Sequence, residues 1–265
     1  MVAVWLDGVP EGDPAYADIR FKASWLKTPV KANEWNGKRV ALIQATTSVN
    51  PNTYSVRALQ IPKSADGKDL PAVEIPGTRV LIRIADRKFE QQVFSVSKEL
   101  EAVRSADNLN TDAQKVAKAK ANGSTVPIWE EAFIIPIPGE EAQSFGKQRI
   151  INGVLNYTHS GVDVSGTEGT PIHAPAAGIV VFSGPLIASG NTVILDHGLG
   201  MYSSLVHMSK TAAVVGTRVK QGDIVGYVGA TGFATGPHLH WTLTIRGNIV
   251  DPEYLMNHDP LAAIR

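Results

Sequence analysis

The sequence predicts an all-β protein in two parts, an N-terminal β-sandwich-like domain and a C-terminal antiparallel β domain. Three observations carry this. Short runs rich in β-branched and apolar residues recur along the 265-residue chain, set apart by Gly, Pro, Asn and Asp clusters. Several runs alternate in the period-two manner of a half-buried strand, as Tyr54, Val56, Ala58 and Gln60 do against Ser55, Arg57 and Leu59. The last half carries a second, glycine-punctuated set of such runs, distinct in character from the first.

The N-terminal strands are expected at 2–7, 19–25, 38–45, 53–62, 78–85 and 89–96, with VNPN, SADGKD and EIPG as turns between them. Regular short strands with such turns suggest a small sandwich. The stretch 105–124 is Ala/Lys-rich and mostly polar. Thr111 or Asp112 can cap a short helix there and Asn122-Gly123 can end it, so it reads as an exposed connector. The boundaries expected are 1–104 for the N-terminal β domain, 105–132 for the partly helical connector, and 133–265 for the C-terminal domain. In that last part GIVVFSGP, NTVILDHG, GMYSSLVHM, TRVKQGDIVGYVG and HLHWTLTI read as strands, with Lys220-Gln221-Gly222-Asp223 as a hairpin-like turn.

Apolar content of 43% and charged content of 19% are those of an ordinary globular chain. Lys plus Arg balance Asp plus Glu, so no global field draws the protein to nucleic acid or to an anionic membrane. No apolar run is long enough for a membrane span. The absence of cysteine rules out disulfides and thiolate metal sites, so a metal would have to sit on His and carboxylate. The first residues lack the basic and apolar regions of a signal peptide.

Four histidines and an aspartate then stand out: His159 and Asp163 in HSGVD, His207 in YSSLVHMS, and His238 and His240 in GPHLHW. In a strand, residues two apart face the same way, so His238 and His240 share one side while Leu239 and Trp241 face an apolar core. Gly161 permits a bend between His159 and Asp163. Each motif alone has a plainer account: paired strand histidines on a polar face, or a turn with a surface His and a strand-end Asp. All of them together between 159 and 240 match what a mononuclear zinc hydrolase needs, namely three ligands, an open position and spare imidazoles for proton handling.

Around these residues FGKQRIING, HSGVDVSGTEGTPIHAPAAGIVVFSG, NTVILDHGLGMYSSLVHMS, GTRVKQGDIVGYVGATGFATGPHLHW and the trailing VDP resemble the M23 family, the lysostaphin/LytM-type zinc metallopeptidases, over 143–252. The N-terminal part is similar, more loosely, to the β domain that precedes the peptidase in some Gram-negative members. The resemblance implies a barrel-sandwich-like peptidase domain of the LytM type, with zinc held by His159, Asp163 and His240 and with His207 and His238 as the catalytic pair. Around the lone histidine the family often has Tyr-x-His-Leu; here the sequence is Leu205-Val206-His207-Met208, an apolar replacement. The implied activity is a zinc metallo-endopeptidase cutting the peptide cross-links of peptidoglycan, in the periplasm or outside the cell, which takes the chain as beginning after a removed signal. Both Gly–Gly and D-alanyl–diaminopimelate bonds stay open; the Gram-negative look of the first half favours the latter.

Relatives without a full ligand set act as wall-binding or activator modules, but all five positions are present here. The two-part layout with a polar connector also raises self-inhibition by the N-terminal domain. Asn152, Tyr202 and Phe233 could line a substrate groove. His173, His197 and Asp196 read as loop or turn residues, and His258 carries no signal. The GDxVG pattern in VKQGDIVGYVG also occurs in biotinyl and lipoyl carriers, but the flanking residues of a carrier lysine are missing around Lys220.

Overall fold

The computed structural model describes residues 2–6, 18–24, 26–45, 49–64, 66–143 and 145–264. Its packing divides the chain into two compact units, Met1–Lys88 with Pro260–Arg265, and Phe89–Asp259. The division falls after Lys88 rather than near residue 104, so the helical connector packs as part of the second unit.

The first unit holds β1 (Val2–Leu6), β2 (Ile19–Ala23), β3 (Val30–Lys31), β4 (Asn33–Trp35), β5 (Lys38–Ile43), β6 (Asn52–Gln60), β7 (Val73–Glu74) and β8 (Val80–Ile84). Five of these are the expected strands; Asp7 and Trp25 lie outside the described residues. They form two antiparallel sheets, β1-β5-β4 and β3-β2-β6-β7, with β8 also on β6. Between the sheets lie Val4, Ile19, Phe21, Ala23, Ala41, Ile43, Val56 and Ala58. Alternation is clearest in β2, where Ile19, Phe21 and Ala23 are buried and Arg20 and Lys22 are not. This is the sandwich the sequence predicts.

The second unit begins with β9 (Gln91–Phe94), then α1 (Lys98–Val103) and α2 (Ala106–Ala119). It continues with β10 (Ala142–Gln143), β11 (Gln148–Ile151), β12 (Val154–Thr158), β13 (Val162–Ser165), β14 (Pro171–His173), β15 (Gly178–Leu186), β16 (Gly190–Gly198), β17 (Met201–Met208), β18 (Lys210–Thr211), β19 (Arg218–Val219), β20 (Ile224–Tyr227), β21 (His238–Ile245), β22 (Asn248–Val250) and α3 (Glu253–Asn257). The main sheet has the order β10-β13-β21-β17-β16-β15-β19, with β22 on β21. Its inner face is apolar and closed to solvent, with Val164, Val193, Leu195, Leu205, Leu239, Trp241 and Leu243 buried. Burying each such side chain contributes roughly 1.5–3 kcal/mol.

Several expectations from the sequence are corrected. The strand at 89–96 does not join the N-terminal sandwich: β9 pairs in parallel with β11, which pairs antiparallel with β12. A parallel pair needs a long crossover, and the segment from α1 onward supplies it. α1 goes unanticipated; Ser97 caps it through Leu100 N–H, and Ser105, not Thr111 or Asp112, caps α2 through Asn108 N–H. Asp112 is instead buried, and its carboxylate accepts the backbone N–H groups of Ile187 (2.8 Å) and Ala188 (2.7 Å). The turn at 220–223 is real, with Asp223 Oδ2 accepting Lys220 N–H at 2.7 Å. It does not make a hairpin, because β19 pairs with β15 while β20 pairs with β14 and β18.

Candidate active site

The side chains singled out by the motifs converge on one face of the main sheet, across the neighbouring strands β13, β21 and β17. β13 and β21 pair antiparallel with Asp163 directly opposite His240 and Ser165 opposite His238. Period-two geometry then behaves as the sequence predicts: Leu239 and Trp241 are fully buried while His238 and His240 face the other side. His159 follows β12 and is buried. Its backbone is tied on both sides, with His159 N–H donating to Lys147 O (2.8 Å) and Gly146 N–H donating to His159 O (3.1 Å). Gly161 is needed where it stands, because a Cβ there would lie 2.3 Å from Trp241 O and 2.9 Å from His240 Nε2.

His159 Nε2, Asp163 Oδ1 and His240 Nδ1 form a tight triangle. The separations are 2.8 Å between the two nitrogens, 3.1 Å from His159 to the carboxylate and 3.0 Å from His240 to it. Two imidazole nitrogens and one carboxylate oxygen, with no thiolate, are a zinc donor set. Burial disfavours the charge on Asp163, but hydrogen bonds from His159 and His240 outweigh it and hold the carboxyl well below the usual carboxylate range. Burial also lowers the pKa of His240, against the pull of Asp163.

His207 comes from β17, the strand next to β21, where Val206 pairs with His240. Met208 faces Asn191 and Leu205 faces Val193, so β17 carries one residue more than β16 over this stretch and bulges. His207 sits in the bulge at φ +64°, a conformation that costs a non-glycine residue about 1–3 kcal/mol. Two contacts hold it there: its N–H donates to Ser189 O (2.9 Å) and its Nδ1 lies 2.8 Å from Thr231 O. A carbonyl only accepts, so Nδ1 carries the proton and Nε2 keeps its lone pair. The same logic applies to His238, whose Nδ1 is 2.9 Å from Gly236 O; its Nε2 lies 3.8 Å from Asp163 Oδ1. The His207 and His238 ring centroids are 5.0 Å apart. Burial, then the nearby His240 and His238, push the His207 pKa down to about 3, so the ring is neutral at neutral pH.

The cluster opens into a groove of about 790 Å³ within the second unit. One wall is α2, through Leu109, Asp112, Ala113 and Val116; Tyr157 and Phe233 line another part, with the Arg104 guanidinium 3.6 Å from the Tyr157 ring centroid. Phe233 thus lines the groove as the sequence suggests, whereas Asn152 and Tyr202 do not. Asn152 bonds the backbone of Val96, and the Tyr202 hydroxyl donates to Lys120 O at 3.0 Å.

His197 and Asp196 are not simple turn residues. His197 is fully buried, with Nδ1 2.8 Å from Ala177 O and Nε2 2.8 Å from Ser203 Oγ. Asp196 is also buried and accepts N–H groups from Ser124 (2.7 Å) and Gly198 (2.9 Å). His173 Nδ1 donates to Gly222 O at 2.7 Å, a loop tie as expected. The supports that sequence reasoning missed are Thr242, whose Oγ1 is 2.8 Å from His240 Nε2, and Arg149, whose Nη2 is 2.7 Å from Asp163 Oδ2. The signal for Arg149 was a cation directly before Ile150 and Ile151 in a strand, where burial demands an anionic partner.

Residues 157–252 match the model of Peptidase family M23. A DD-carboxypeptidase/endopeptidase, Mpg, of Neisseria meningitidis is 38% identical over 94 residues, which are 36% of this chain and 22% of that protein. The peptidoglycan DD-endopeptidase ShyA of Vibrio cholerae is 37% identical over 93 residues, 35% of this chain and 22% of that one. The chain therefore spans about a fifth of the length of these relatives. A crystal structure of a Pseudomonas aeruginosa protein assigned to the M23 peptidases superposes with a TM-score of 0.63 at 25% identity, covering 96% of this chain and 92% of the other.

Proposed function

We propose that this chain, whose residues 157–252 match the model of Peptidase family M23, is a zinc metallo-endopeptidase of that family that hydrolyses the peptide cross-links of peptidoglycan. The observation that carries the reading is the triangle of His159 Nε2, Asp163 Oδ1 and His240 Nδ1, all within 3.1 Å of one another and rimmed by two further imidazoles at the floor of an open groove. His159, Asp163 and His240 would hold the metal. Zinc held there would supply Lewis acidity toward a peptide carbonyl and would bring the pKa of a bound water to about 7.

The remaining steps belong to the chain's own residues. His207 and His238 each present an unprotonated Nε2 to the site because the Nδ1–H of each donates to a carbonyl, Thr231 O and Gly236 O respectively. Either ring can take a proton from the attacking water at that atom and, once protonated, donate to the developing oxyanion or the leaving amine. The bulge fixes His207, and the β21 register fixes His238, so neither ring must reorganise during the reaction. The groove walls would orient an extended peptide across the cluster while leaving its scissile carbonyl open to the attacking water. D-alanyl–diaminopimelate cross-links are the favoured bond, as the names of the Neisseria and Vibrio relatives support. Such a substrate places the protein outside the cytoplasm. Among the described residues no helix is long and apolar enough to cross a membrane.

The test is mass spectrometry of soluble muropeptides released from purified cross-linked peptidoglycan by zinc-loaded protein, with a chelator-treated control. Chelator-sensitive release of uncross-linked peptides is expected, and their masses identify the bond. No release, with zinc bound, would favour a non-hydrolytic wall-binding or activator role. Restraint of hydrolysis by the N-terminal unit is part of the proposal, on the ground that the chain divides into two units at Lys88–Phe89. Residues 89–259 alone are then expected to hydrolyse faster than the full chain; equal rates would remove that part of the proposal.

A further inference from the structure

We propose that Arg149 is a positioning residue for the metal centre, aiming the Asp163 carboxylate at the ion, and that its own orientation is set by β9, upstream of the stretch that matches the family model. The inference rests on the metal-site reading above.

Asp163 divides its two oxygens between two sets of partners. Oδ1 faces His159 Nε2 and His240 Nδ1, at 3.1 and 3.0 Å. Oδ2 accepts Arg149 Nη2 at 2.7 Å. The terminal torsion of an aspartate is soft, with no sharp preferred value. A charge-assisted bond to one oxygen removes that freedom and leaves the other in a single direction. Arg149 is itself held. Its side chain is only 7% exposed, and a guanidinium taken out of water must keep anionic or polar partners. Its Nη1 donates to Gln92 Oε1, and its guanidinium carbon lies 5.8 Å from the centroid of Phe94.

Register explains why these groups meet. β11 runs parallel to β9 with Arg149 opposite Gln92, and antiparallel to β12 with Arg149 opposite Tyr157. The β11–β12 ladder shifts directly after Arg149, where Ile150 pairs with Leu155. A bulge at that point re-aims a side chain. The order of support is therefore Gln92, then Arg149, then Asp163 Oδ2, then the metal-facing Oδ1. Second-sphere partners of this kind change metal affinity when removed, commonly by about 10–100-fold.

The experiment uses the full chain and measures zinc affinity by competition with a chromophoric chelator, together with the rise in melting temperature that zinc produces. Arg149→Ala is expected to weaken zinc binding about 10–100-fold and to shrink the zinc-induced rise in Tm. Arg149→Lys, which keeps the charge but not the fork, should recover part of both. A purely structural arginine would lower the Tm of the metal-free protein and leave the zinc dissociation constant within about twofold, well short of the second-sphere effect; that result overturns the proposal. Should Arg149→Ala fail to fold, Gln92→Ala loosens the guanidinium without removing it, and unchanged zinc affinity in that variant also overturns it. Failure of the parent protein to bind zinc would instead overturn the metal-site reading itself.

Discussion

At the scale of single residues, the histidines sort by what their second ring nitrogen touches. His240 and His159 point nitrogens at a shared carboxylate oxygen, whereas His207 and His238 are pinned by carbonyls and keep free lone pairs. Two kinetic signatures should separate the groups. His240→Ala is expected to lose both zinc and hydrolysis, whereas His207→Ala and His238→Ala should retain zinc, measured by metal analysis, and lose about 10²–10³-fold in kcat. A third behaviour belongs to His197. With its Nδ1–H on Ala177 O, its Nε2 must accept from the Ser203 hydroxyl, whose oxygen in turn accepts Trp241 Nε1–H at 3.1 Å. That chain is complete only for a neutral ring. Burial accordingly lowers the His197 pKa from 6.5 to about 4. The unfolded chain therefore binds a proton between those values that the folded one refuses. The stabilisation is whole above pH 6.5 and drains away as pH falls toward 4, by a total on the order of 3 kcal/mol. Denaturant unfolding at stepped pH should show this slope in the parent and a flatter one in His197→Gln. Equal slopes would mean that His197 does not titrate in this range.

At the scale of elements, the strands were legible and the helical segment only partly so. Period-two alternation located β2, β6 and β21 and put His238 and His240 on one face, because a buried face imposes its own pattern on the sequence. The HxxxD and HxH spacings likewise exposed the ligand candidates. What the sequence hid was pairing over distance. Nothing in QQVF says that β9 will lie parallel to β11, and nothing around Lys220 says that β19 and β20 will part to different sheets. Asp112 shows the limit most clearly. Its position suggested a cap for its own helix, yet it serves two N–H groups from the β15–β16 region, far along the chain. Asp112→Ala would leave those amides without their carboxylate and is expected to cost about 1–3 kcal/mol. The check is urea unfolding, with Asp107→Ala, in the exposed first turn of the same helix, as a near-neutral comparison.

At the scale of the whole molecule, the question is where the proposed catalytic unit begins. The family match starts at residue 157 and the sequence places the domain at 133, yet the packing begins it at Phe89. The difference is physical. β9 completes the ladder of β11, Gln92 and Phe94 flank the arginine that holds Asp163, and α2 forms one wall of the groove. Cutting at 131 removes all of these while sparing His159, Asp163, His207, His238 and His240, the residues proposed to hold the metal and to act in hydrolysis. If only the residues of the matched stretch mattered, fragments 131–259 and 89–259 would bind zinc equally well. We expect instead that 89–259 binds zinc like the full chain, whereas 131–259 binds more weakly and unfolds at lower denaturant, since β11 would expose an unpaired edge and Arg149 would lose its outer support. Chelator competition and urea unfolding on the two fragments decide between these outcomes. Equal zinc affinity would place the functional boundary back inside the connector and would make β9 a packing strand only.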